Sequence, residues 1–295
     1  MSTVERLLPG DRSLSLSEIH VLTGPTVLWF TIFLLVPLAV VFVYSFLTYE
    51  SFSVVWEFTL APYTETVLSD TVISTTIRTI VIGLVVTAIT LVFGYPIAYY
   101  LRFYLSEKAG IVLLLFLVIP FWTSAIIRTI GWIPILGQTG MINQVLLWIG
   151  VIDKPLSILL FSPISQALGY LQNYVVFMAA PIYISLSQID EDLLDASETL
   201  RGNHVATFRH VTLPLSLPGV AIGCMFTFVL TIGNFSVPSF LSGGQGTIST
   251  LIYDSVNRGL RYPDAAAMSI MLLLIIFIFV YALLRTVDIT EIAQG

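Results

Sequence analysis

Six residues of this sequence combine a polar or aromatic side chain with a position in or beside a long apolar run: Trp122, Arg128, Gln172, Asn173, Tyr174 and Asn234. In an apolar medium such groups are costly, and they face the interior of a bundle or a water-filled path. Arg128, near the end of the third run, suits a gate, a structural ion pair or an interfacial arginine reaching toward headgroups. Gln172, Asn173 and Tyr174 stand in succession and suit the lining of a path or hydrogen bonds between helices. Asn234 admits the same two readings. Trp122 and Trp132 offer faces on which an amine stacks by a cation–π contact, or they form part of an interfacial aromatic belt.

Bond-making chemistry finds no such support. No GxxxxGK[ST] segment occurs, so the chain does not bind ATP by a P-loop of its own. HExxH and paired-cysteine motifs are absent from the sequence, and its one cysteine, Cys224, lies in an apolar run where it reads as a small core residue. The apolar runs hold no constellation of His, Asp and Glu, which argues against a membrane-embedded enzyme. The glycine-rich SGGQGT (242–247) has no strand before it and no lysine after it, and reads as a turn.

Those residues must be positioned by helices in lipid. Of the 295 residues, 57% are hydrophobic and 10% charged, against about 25% charged in a typical soluble domain. The mean hydropathy of +0.95 agrees. A net charge of −6 without clustered Lys and Arg argues against nucleic acid as a partner. About 20 apolar residues make one crossing. Six runs qualify, at residues 24–46, 73–100, 109–132, 158–186, 217–241 and 265–284. The first run is too long for a signal-peptide core and reads as a retained anchor. The fold class expected is an all-α membrane protein with six transmembrane helices: a cytoplasmic segment at 1–22, the membrane domain at 23–287 and a cytoplasmic tail at 288–295. Six crossings put both termini on one side. Seven basic residues (Arg6, Arg12, Arg102, Lys108, Arg201, Arg209, Arg285) against five place that side in the cytoplasm. The segment 50–69, with three acids and no base, then faces outward.

Between the fourth and fifth runs lies DLLDASETLRGNHVATFRHVTLPLSLPG (192–219), a charged insert in an otherwise apolar chain. Acids crowd its start and Arg201 its middle, which suits a helix dipole. Gly202 fits a left-handed helix end. Leu193, Ala196, Ser197 and Leu200 share one small, mildly apolar face. Asn203 suits the cap of a second short helix with Val205 and Phe208 on one side, and Pro214 and Pro218 are expected to stop it. On these residues alone, a two-helix elbow gripped by another protein and a solvated helical loop weigh equally.

The insert resembles the EAA loop of permease subunits of bacterial ABC importers. That pattern is approximately E-A-A-x-x-x-G, a spacer, then a hydrophobic residue and L-P. Asp195, Ala196 and Ser197 stand at its first positions, Leu200 at its leucine, and Phe208, Val211, Leu213, Pro214, Pro218 and Gly219 in its tail. Arg201 occupies the glycine position, with Gly202 one place later. IPFWTSAIIRTIGW (119–132), GMINQVLLWIGVIDKPL (140–156) and GNFSVPSFLSGG (233–244) are similar to spermidine/putrescine-type permeases. The resemblance implies a type I importer permease fold with a cytoplasmic coupling helix in residues 188–213. It implies an inner-membrane location and a docking role for Asp195, Ala196, Ser197, Leu200 and Gly202 on a cytoplasmic ABC ATPase dimer, which binds the ATP and magnesium. It further implies a second permease subunit, a periplasmic binding protein that delivers the cargo, and no cofactor on this chain. The cargo implied is a small amine such as spermidine or putrescine. Opines, amino-acid-like amines, aminophosphonates and ferric iron are the alternatives within the class. A stand-alone secondary transporter or channel is the alternative outside it; it would show internal repeats or intramembrane ionisable residues, and neither is evident.

Overall fold

The structure, a computed structural model, describes residues 24–50, 53–190, 192–194, 197 and 204–286. Helix α1 (Gly24–Tyr44) leads through an antiparallel hairpin, β1 (Leu47–Glu50) and β2 (Ser53–Phe58), into α2 (Asp70–Phe103). Then come α3 (Glu107–Trp122) and, after a bend of 95°, α4 (Ala125–Ile130), α5 (Ile133–Leu136) and α6 (Met141–Trp148). The rest is α7 (Pro163–Ser187), α8 (His204–Gly233), α9 (Ser236–Leu241), α10 (Ile248–Asn257) and α11 (Tyr262–Thr286). Five of these helices are long and apolar enough to cross a membrane, and the bent α3–α6 stretch counts as a sixth crossing if taken as one span.

Local signals set the long helices. Ser69 caps α2 by accepting from the Val72 amide, with Asp70 in the first turn and Arg102 in the last. Ser162 and Ser165 form a reciprocal capping box at the start of α7, and Pro163 fills its first position.

Helices α2, α7 and α8 pack on one another as the central unit. Small residues allow the approach. A Cβ on Gly94 of α2 would lie 2.8 Å from Met178 Cγ, and one on Gly223 of α8 would lie 2.7 Å from Met178 Sδ. Met178 of α7 is fully buried between them. Gly219, one turn before Gly223, sits against the α7 backbone, where a Cβ would meet Pro181 O at 2.5 Å. This small-xxx-small pair is the usual device for close helix contact in lipid, where apolar burial between helices brings no gain over lipid. Cys224 packs beside this core as a small apolar group. By contrast, α1 buries none of its residues and leans mainly on α11.

At the hairpin end, Tyr49 donates to Gly259 O (2.9 Å), Tyr63 to Ser45 Oγ (2.8 Å) and Thr66 to Asp264 Oδ1 (2.8 Å). Two carboxylates there are already engaged: Asp264 with Arg261, and Asp254 with Arg258. The SGGQGT segment is a turn, with Gly243 and Gly244 at φ +66° and +97°.

Three sequence expectations need correction. The third run does not continue straight to Trp132; its helix stops at Trp122 and the chain turns sharply. Apolarity counts residues and is blind to direction. The fifth crossing starts not at 217 but at His204, and it ends at Gly233. Pro214 and Pro218 do not stop the helix that begins there. A π turn at Phe208–Thr212 precedes Pro214 and absorbs its missing N–H, while Pro218 lies inside the continuous helix.

Candidate functional site

The polar residues singled out in the sequence gather where two helices are interrupted. At the α3–α4 corner, Arg128 of α4 folds back over the bend. Its Nη1 donates to Thr123 O (2.9 Å) and to Pro120 O, and its guanidinium carbon lies 4.7 Å from the Phe121 ring centroid. Its Nε and Nη2 both donate to Asn173 Oδ1 of α7, at 3.1 and 2.9 Å. Asn173 is buried, and its Nδ2 donates to Gly169 O (2.7 Å). Next to it, Trp132 Nε1 donates to Gln172 Oε1 (2.7 Å). No carboxylate faces Arg128 among the described residues; a planar fork of donors is matched to neutral oxygens and an aromatic face.

The second interruption follows Gly233. Asn234 leaves the helix with φ −81° and ψ 124°, and its side chain serves both sides of the break. Oδ1 accepts from the Val237 amide (2.8 Å) and from Ser236 Oγ (3.2 Å), which starts α9. Nδ2 donates to Tyr174 OH (2.7 Å), and that hydroxyl donates to Leu230 O (2.9 Å) in the last turn of α8. Between the two interruptions lies a cleft of about 470 Å³, with Ser124 and Ile126 on one wall and Tyr174, Gly233, Asn234 and Phe235 on the other. Its size is in the range of small-molecule sites.

Five of the six path candidates (Arg128, Gln172, Asn173, Tyr174 and Asn234) thus lie around one region. Trp122 does not join them; it stands 87% exposed at the outside of the corner. The sequence reading missed Phe121, Gly233 and Phe235. The GNF triplet around Asn234 was a usable signal, since a glycine and an amide in succession often end a helix.

At the elbow, Asp195, Ala196, Leu200 and Gly202 lie outside the described residues, as do Arg201 and Asn203. Ser197 is described, and its Oγ lies 2.9 Å from Thr207 Oγ1. Leu194 packs on the core of α2 and α7, where a groove of about 810 Å³ opens beside Arg102, Ser106, Tyr183 and Gln188. Phe208 wedges edge-on against Tyr95 (5.7 Å) and Tyr99 (5.9 Å) of α2, and Tyr95 OH meets Ser216 Oγ at 2.9 Å. Val205 is 72% exposed and does not share the side of Phe208.

Long apolar helices, two of them interrupted where a cleft lined by Tyr174 and Asn234 opens, suit a transport permease. The chain belongs to the family of binding-protein-dependent transport system inner membrane components, which residues 91–290 match. It is a multi-pass inner-membrane transport component without catalysis of its own. Among its relatives, it is 32% identical over 249 residues to the spermidine/putrescine transport system permease protein PotB of Escherichia coli K12, covering 84% of this chain and 90% of that protein. It is 28% identical to the inner membrane ABC transporter permease YdcU of the same organism, covering 88% and 86%. Among solved structures, a chain of a bacterial alginate ABC transporter in complex with its pentasaccharide-bound periplasmic protein matches with a TM-score of 0.69 at 18% identity, over 94% of this chain and 95% of that one. A chain of the MetNI methionine ABC transporter matches with a TM-score of 0.51 at 15% identity, over 74% and 97%.

Proposed function

We propose that this permease forms the translocation path of an ATP-driven importer for a polyamine of the spermidine/putrescine class, delivered by a periplasmic binding protein. The observation that carries the cargo class is the 32% identity to PotB across nearly its whole length. Among the described residues no carboxylate lines the cleft, which fits a path that passes a polycation without trapping it. Trp122, Arg128, Gln172, Asn173, Tyr174 and Asn234 are the path candidates, with Arg128 and Asn173 holding its corner and Tyr174 and Asn234 lining it.

In this reading the elbow end is cytoplasmic, both termini lie on that side, and residues 188–213 seat in a groove of an ABC ATPase dimer through Asp195, Ala196, Ser197, Leu200 and Gly202. The contacts of Phe208 and Leu194 support it, because they tie the elbow to the spans so that a push on one moves the other. ATP and magnesium belong to the ATPase. A second, different permease completes the path, and alternating access follows from rigid rocking of the paired bundles.

The test is uptake of radiolabelled putrescine and spermidine into proteoliposomes that hold the full complex, ATP inside and the binding protein outside. Accumulation that depends on all of them is expected; none with either polyamine would overturn the cargo. Ala196→Arg is expected to abolish co-purification of the ATPase. Unchanged association would remove the docking role and leave the cargo standing.

A further inference from the structure

The end of α8 carries chemistry that the path reading does not use. The last four carbonyls of a helix lack partners within it and hold about half a negative charge between them. Here three of the four are taken. Leu230 O accepts from Tyr174 OH, Thr231 O from the Asn234 amide (3.2 Å) and Ile232 O from Ser249 Oγ. The fourth, on Gly233, has no hydrogen-bond partner among the described residues, and Gly233 lines the cleft. A Cβ placed on Gly233 would meet nothing within 4 Å, so there is open space beside this residue. Beside it Phe235 stacks on Tyr253 (centroids 4.6 Å, planes 7° apart), which holds the ring still. No charged side chain lines the cleft, and the guanidinium of Arg128 is occupied at the corner by Pro120, Thr123, Asn173 and Phe121.

We infer that this cleft is a binding subsite for one alkylammonium head within the permease itself, with the Gly233 carbonyl at the negative end of α8 accepting its N–H and the Phe235 and Tyr174 rings beside its alkyl chain. A carbonyl accepts but cannot donate, and aromatic faces attract cations. The site therefore prefers an ammonium to a neutral alcohol of the same shape. It rests on the polyamine reading for its natural cargo, but its chemistry is testable without that cargo.

The complete complex in nanodiscs, without the binding protein, is titrated by saturation-transfer NMR with putrescine, butylammonium and 1-butanol. Saturable binding of both amines, about tenfold tighter than that of butanol, is expected. Gly233→Ala, whose Cβ meets nothing within 4 Å, should weaken it a few-fold with the melting temperature unchanged, and Gly233→Leu by about tenfold or more. Equal binding of butanol and butylammonium, no saturable binding of either amine, or wild-type binding by Gly233→Leu would each overturn the subsite. Polyamine uptake without amine binding here would sink the subsite and leave the cargo assignment. Butylammonium binding lost in Gly233→Leu, in a complex that carries no polyamine, would do the reverse.

Discussion

The bend after α3 and the break after α8 both strip helical partners from backbone groups at membrane depth, and they are repaired differently. At the first, one long cationic side chain reaches back: Arg128 gathers the carbonyls of Pro120 and Thr123 and binds Asn173 across the bundle. At the second, a short amide bridges: Asn234 accepts from Val237 and donates to Tyr174, which satisfies Leu230. The first repair uses every part of the guanidinium and closes the corner. The second leaves one carbonyl, on Gly233, without a hydrogen-bond partner among the described residues. By contrast, Pro96, Pro181 and Pro218 lie within α2, α7 and α8 and interrupt none of them. At both breaks a polar side chain takes over backbone groups, whereas the helices continue through these three prolines.

The contrast can be broken most forcefully at Arg128. Arg128→Ala removes hydrogen bonds from a charged donor, each worth about 1.5–3 kcal/mol, so a loss of several kcal/mol in thermal unfolding and loss of uptake are expected. Arg128→Lys should rescue little, because an ammonium lacks the planar fork. Wild-type unfolding of Arg128→Ala would show that the corner stands without its clamp. The next effect is smaller: Asn234→Leu orphans the Val237 amide and should cost about 2 kcal/mol, whereas Asn234→Asp keeps that acceptor and should cost less. Tyr174→Phe frees Leu230 O and should cost about 1 kcal/mol. Combined with Asn234→Leu it should be less than additive, since the two share a hydrogen bond. The smallest change is Pro218→Ala, expected within about 0.5 kcal/mol, in line with a proline that ends nothing. A larger loss there would undo the distinction between prolines and polar breaks.

The crossings at α2, α7 and α11 were legible to within about five residues, because a run of apolar residues bounded by Ser or Asp caps is a local signal. The 95° corner was not, since apolar residues continue on both sides of it and only Arg128 meeting Asn173 reveals that the chain has turned. The polar residues could be chosen from their apolar settings, yet their pairing depended on a fold that brings residue 128 beside 173 and 174 beside 234. Trp122 was chosen by the same rule and stands apart, because exposure at a corner looks like membrane depth in one dimension. The Gly219/Gly223 contact was present as a GxxxG pattern and was passed over within the resemblance of the loop tail.

One continuous helix, α2, has 34 residues and so measures roughly 51 Å, against about 30 Å of hydrocarbon. Near one end its Tyr95 and Tyr99 grip Phe208; near the other, Arg78 and Thr79 hold Gly246 O and the Ile248 amide, just ahead of α10. Such a strut turns a tilt of about 10° into a swing of about 4 Å at each tip. A displacement of Phe208 is thereby coupled to the Gly246–Ile248 segment along a single rod, bypassing both interrupted spans.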